Sequence, residues 1–235
     1  QKAIKTALAQ QPGCDVILAT RGGFHGKKGL AEAVTGSERD DERDPRVQFI
    51  SFPRDECSTF ARRREPIDLM PYRAELERLL DRFGNRICCL ITEPYLGGGG
   101  SYHPQVEYLQ MLDQICKENG ILFILDEVQS NFGRTGEMYA FTTYGIEPDF
   151  VVLGKGMGNG IPVDAVAGPA AAFSKMSYGA GSDTWSAHPL GCAGVLATLD
   201  EFEQTDVLEH AAQLAKVVET ELLRLTELDA VQAIR

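Results

Sequence analysis

The feature that most constrains this chain is the regular alternation of short β-rich runs with segments of helical period. Runs at 15–20, 47–51, 87–93, 121–127, 149–153 and 163–168 carry the β-rich pattern, and several are apolar without a break. Uninterrupted apolar strands belong to a sheet covered on both faces, since a sheet with one wet face alternates apolar and polar residues. Between the runs, 72–83 sets Leu76, Leu79, Leu80 and Phe83 on one helical face. The segment 106–119 does the same with Leu109, Leu112, Ile115 and Cys116, opens after Pro104 and stops at Gly120. This order predicts a three-layer α/β/α domain with a mostly parallel sheet. After residue 186 the pattern changes: 188–203 and 206–228 read as long helices with no strand between them. We therefore expect a large domain over residues 1–200 and a helical exit toward a further domain over 201–235.

The net charge of −11 and pI near 4.9 argue against a nucleic acid as partner. No apolar run approaches the roughly 20 residues that a membrane span needs. No basic, apolar leader marks export, although the chain opens at Gln1 and an upstream address would not be visible. None of the six cysteines forms a C-x-x-C pair, and Cys88-Cys89 lies inside an apolar run. Buried thiols in a reducing cytoplasm fit this usage better than disulfides or zinc, and only four histidines are present. The basic run Arg62-Arg63-Arg64 and the mixed-charge stretch from Glu38 to Arg46 read as solvated connections.

In open α/β sheets, ligands gather beyond the carboxyl ends of the strands. Glu93, Asp126 and Lys155 each fall at or just past such an end. Asp126 closes the apolar run ILFILD, where a buried carboxylate needs a cationic partner. A protonated pyridine nitrogen is one such partner, and the cap of a following helix is the competing use. Lys155 follows the run VVLG and is flanked by glycines at 154, 156, 158 and 160. Partial desolvation there would favour the neutral amine required for imine formation; a surface lysine in a glycine-rich turn is the alternative. The G-x-x-x-x-G-K-[ST] order of a phosphate loop is absent.

The runs ILDEVQSNFGRTG and VLGKGMGNGIP resemble the class III (ornithine-type) aminotransferases of pyridoxal-phosphate (PLP) fold type I, and the likeness extends through essentially all 235 residues. The resemblance implies PLP as cofactor, with residues 1–200 as the cofactor domain, and Lys155 as the catalytic Schiff-base lysine and proton shuttle. It also implies that Asp126 pairs with the pyridine nitrogen and that Gln129 lies near the phenolic oxygen. Phe24 in GGFHGKKG would stack on the ring, with His25 and Gly26 completing that motif. Thr184 in GSDTWSAHPLG would reach the cofactor phosphate of a neighbouring subunit, so a homodimer with a shared site is expected. Glu93 matches the family's Glu-Pro after a central strand. The implied reaction moves an amino group from an amine or amino acid, ω-amino donors included, to an oxo acid.

Three departures stand out. The family's phosphate loop should lie just before residue 1, and its small domain with a carboxylate-binding arginine beyond Arg235, so the chain reads as a fragment lacking both ends. Many members carry an acid where this chain has Gly98, and His188 stands where asparagine is common. The same Asp126 and Lys155 would also serve an aminomutase, racemase or decarboxylase of this fold. A non-catalytic interaction domain is the reading from a different class.

Overall fold

The computed structural model describes residues 1–36 and 44–235, so most of the mixed-charge stretch lies outside the described residues. Six strands form one sheet: β1 Val16–Thr20, β2 Val47–Ile50, β3 Ile87–Thr92, β4 Leu122–Asp126, β5 Phe150–Leu153 and β6 Ala165–Ala167. Their spatial order is β2-β1-β3-β4-β5-β6; the first five run parallel and β6 closes the edge antiparallel to β5. Each of the six β-rich runs became a strand.

The strands are continuously apolar because successive side chains enter two different cores. On one face Leu18, Leu90, Phe123 and Leu125 pack with Leu76, Leu109 and Leu112. These last three come from helices α3 (Met70–Phe83) and α4 (Val106–Asn119). On the other face Ile17, Ala19, Ile91 and Ile124 pack with Ala3, Ile4 and Ala7 of α1 (Lys2–Gln10) and Ala172 of α6 (Ala170–Phe173). The result is the expected three-layer α/β/α arrangement. Gly120 ends α4 in the left-handed region (φ 66°), where its amide reaches the carbonyls of Cys116 and Lys117.

Short helices α2 (Gly29–Ala33), α5 (Ala140–Tyr144) and α6 are too brief to carry a periodic signal. The two long helices after residue 186 are α7 (Pro189–Gln204) and α8 (Val207–Arg224). His188 caps α7: its Nδ1 accepts from the Gly191 amide at 3.2 Å, satisfying one of the free amides of the helix's first turn. Past α8 the chain returns to the body. The Phe60 amide donates to the Ile234 carbonyl, and the Arg235 guanidinium sits 4.4 Å from the Tyr102 ring centre. Among the described residues, no helix is long and apolar enough to cross a membrane.

Candidate active site

Register fixes the site. Asp126, the last residue of β4, pairs with Val152 on β5, three positions before Lys155. Both residues therefore emerge at the same carboxyl end of the sheet, on adjacent strands.

Asp126 is 7% exposed. Its Oδ2 lies 2.8 Å from His25 Nδ1, and its Oδ1 accepts the Val128 amide at 3.2 Å. No helix starts after it, so helix capping is not its role. That task falls to its neighbour Glu127, whose carboxylate accepts the first two amides of α5, from Ala140 at 2.7 Å and Phe141 at 2.8 Å.

Lys155 opens a 3₁₀ turn, Lys155–Gly158, in the left-handed backbone region (φ 46°). A non-glycine residue held there is strained, and such strain gathers at functional sites. Its Nζ donates to Gln129 Oε1 at 3.1 Å. The side chain is exposed, which corrects the expectation of a desolvated amine: it lines a cavity of about 610 Å³ open to solvent. Gln129, Tyr95, His103, Asn131 and Arg134 line the same cavity.

Glu93, 5% exposed, ties two loops together. Its Oε2 accepts the Phe24 amide at 2.8 Å and its Oε1 the Gly97 amide at 3.2 Å. Burial raises its pKa, and those two hydrogen bonds oppose the rise. Phe24 is not a core residue: it is 46% exposed, and a Cβ placed on Gly98 would lie 3.4 Å from its own Cβ. Gly97 lets the Gln129 side chain lie close: a Cβ there would fall 2.5 Å from the Gln129 amide, which would then have to move away from Lys155. Gly26, at φ 137°, ends the Phe24-His25 segment, which is held by the His25 amide donating to Thr35 Oγ1 at 3.0 Å.

Thr184 is not brought to Lys155. It lies on an exposed loop beside Asp183, which pairs with Lys2 at 3.1 Å, at a separate cavity of about 600 Å³. Sequence reasoning missed Tyr95, His103, Asn131 and Arg134. The last two stand inside the run ILDEVQSNFGRTG, while the first two flank the glycine run. A bridge between Leu96 and Tyr102 folds that run back and stacks Tyr95 on His103, with ring centres 4.1 Å apart.

Burial, assisted by the positive Arg63, lowers the His103 pKa from 6.5 to about 4. The folded protein therefore binds fewer protons here than the unfolded chain between those values. The stability His103 contributes is present above pH 6.5 and lost as pH falls toward 4, up to about 3 kcal/mol. An NMR titration of this imidazole should show a midpoint near 4, and His103→Phe should flatten the acid side of the stability profile. A midpoint near 6.5 would contradict this.

These residues suit PLP: an accessible amine, a buried carboxylate on the adjoining strand end, an uncovered aromatic ring, and a buried imidazole Nε2 on His25 without a hydrogen-bond partner. Comparison with known proteins agrees. The family model for class III aminotransferases matches residues 1–235. The acetylornithine aminotransferase of Methanothermobacter thermautotrophicus is 31% identical over 84% of this chain and 46% of its own length. The isoleucine 2-epimerase of Lentilactobacillus buchneri is 31% identical over 85% of this chain and 46% of its own. Among solved structures, an (S)-enantioselective omega-transaminase from Thermomicrobium roseum superposes with a TM-score of 0.87 at 30% identity, covering 99% of this chain and 55% of that one. The chain thus spans about half the length of these relatives. By its family match over residues 1–235, and by a mostly parallel α/β/α sheet shared with the transaminases of fold type I, the chain belongs to the class III aminotransferases.

Proposed function

We propose that the full-length protein is a PLP-dependent aminotransferase, moving an amino group from an amine or amino acid donor to an oxo-acid acceptor. The observation that carries this reading is the Lys155 amine, held 3.1 Å from Gln129 in a cavity of substrate size at the strand ends. When bound, PLP would supply an aldehyde for imine formation and a ring that delocalises negative charge. Lys155 is the catalytic residue: its Nζ would hold the cofactor between turnovers and, once displaced, act as general base at the substrate α-carbon. Asp126, kept in place by His25 and the Val128 amide, would hold a proton on the pyridine nitrogen. Gln129, Phe24, His25 and Gly26 complete the cofactor seat, and Glu93 positions Phe24 and the glycine run. Thr184, exposed and outside its own Lys155 cavity, would serve the cofactor phosphate of a second copy, making the enzyme a homodimer.

In this reading residues 1–200 form the cofactor domain and 201–235 lead toward the rest of the protein. The six free cysteines, mostly buried, favour the reducing cytoplasm. An epimerase is the second reading, favoured by the isoleucine 2-epimerase relative, and it would use the same Lys155.

Borohydride reduction of the full-length protein with PLP, followed by mass spectrometry, should place a pyridoxyl group on Lys155. Amino transfer from donor to oxo acid should accompany it. An unlabelled Lys155 would overturn the cofactor reading. Labelling with inversion of an amino acid and no transfer would decide for the epimerase.

A further inference from the structure

The Lys155 cavity is rich in unspent hydrogen-bond donors. Arg134 is exposed at the cavity, and its guanidinium makes no ion pair or hydrogen bond with the described residues, although the chain carries 34 acidic groups against 23 basic ones. Asn131 is 3% exposed, and its Nδ2 is buried without a partner. The His103 ring, stacked on Tyr95, likewise makes no hydrogen bond among the described residues and is neutral at pH 7. No aspartate or glutamate stands among the described residues that line the cavity. A buried orphan donor costs stability unless a ligand satisfies it. An unpaired guanidinium in a cavity lined by no acid among the described residues is complementary to an anion, and its planar fork suits a carboxylate.

The loop that presents Arg134 is built rather than loose. The Phe132 amide donates to the Met138 carbonyl at 2.7 Å, and the Phe132 ring meets Phe202 of α7 edge-on with centres 5.8 Å apart. Gly133 takes φ 81°, and a Cβ there would lie 3.4 Å from both Phe202 and Leu208. The helices α7 and α8 therefore back the turn that aims Arg134.

We propose that Arg134, with Asn131 and His103, seats the substrate carboxylate in the Lys155 cavity, so that the preferred amino donor is an amino acid rather than a carboxylate-free amine. This rests on Lys155 being the reacting nitrogen, since only then is a ligand of this cavity a substrate.

The test uses the full-length PLP-loaded protein and donors matched in skeleton, 4-aminobutyrate against butylamine and alanine against isopropylamine. Arg134→Gln should raise KM for the carboxylate-bearing donors about 10–100-fold with kcat nearly kept, as expected when uniform binding is removed. KM for the plain amines should not move, and Arg134→Lys should fall between, keeping the charge and losing the fork. Calorimetry with glutarate, a non-reacting dicarboxylate, should show the same weakening without turnover. Equal KM changes for both donor classes, or glutarate binding indifferent to Arg134, would overturn the proposal. So would sulfate competing with glutarate as well as a second carboxylate does, which marks a general anion site. If the wild-type protein transfers no amino group while glutarate binding still depends on Arg134, the aminotransferase reading falls and the carboxylate seat stands.

Discussion

Replacing Lys155 by alanine in the full-length protein should lower kcat/KM for amino transfer by at least about 10⁴-fold while leaving the protein folded. The two halves of that expectation have separate physical sources. Chemically, no other amine lines the described cavity, so neither imine exchange nor proton transfer at the substrate α-carbon has a substitute close by. Structurally, the side chain is exposed and makes one hydrogen bond, to Gln129. Truncating an exposed side chain with so little packing costs little stability. The left-handed backbone at this position (φ 46°) is no worse for alanine than for lysine, so the turn survives. A small primary amine added in excess should restore part of the rate, since it replaces the missing base without the tether. Circular dichroism and a thermal scan check the fold, and steady-state kinetics with and without added amine check the chemistry. Transfer within tenfold of the wild-type rate would remove Lys155 from the reaction.

The parts of the fold that could be read from sequence are those where burial leaves a regular trace. The run 149–153 became β5, Phe150–Leu153, because a parallel strand buried on two faces tolerates few polar side chains. The segment 106–119 became α4 with the same bounds, because Gly120 supplies the left-handed residue that ends it. The strand-end position of Lys155 and Asp126 followed from those elements. What surrounds them did not. The Asp126 partner, His25, is 101 residues away in the chain, and nothing local announces the pairing. Tyr95 and His103 stack only because a glycine run bends back on itself, with Ser101 at φ 58° in the turn. The exposure of Lys155 was misjudged because a glycine-rich sequence says that space exists near the amine, not whether solvent fills it. Asp126 as a helix cap failed for a different reason: the cap was supplied by the next residue and for a helix beginning at Ala140.

That capping residue sets the second large effect. Glu127→Ala should destabilise the full-length protein by about 3–5 kcal/mol, through loss of acceptors from buried donors and through the cavity left behind. The Glu127 side chain has no solvent exposure, and its carboxylate accepts three donors: the amides of Ala140 and Phe141 and the Ser130 hydroxyl at 2.9 Å. Those amides are the first two of α5 and have no carbonyl to turn to within the helix. Burial, with the nearby Asp126 carboxylate, raises the Glu127 pKa, and the same three hydrogen bonds oppose that rise. Alanine removes every acceptor at once. Glutamine keeps one carbonyl oxygen, and Glu127→Gln should therefore cost clearly less than Glu127→Ala. The damage should also reach the site. Residues 127–140 form a closed loop with Glu127 at its neck, and Gln129, Asn131 and Arg134 all lie on it. Loosening the neck releases the side chains that face Lys155, so activity should fall further than the stability loss alone would dictate at a temperature where the variant is still folded. Chemical denaturation and kinetics on the alanine and glutamine variants, measured side by side, separate these effects. A loss below about 1 kcal/mol for alanine, or equal losses for both variants, would show that the loop is held by something other than this carboxylate.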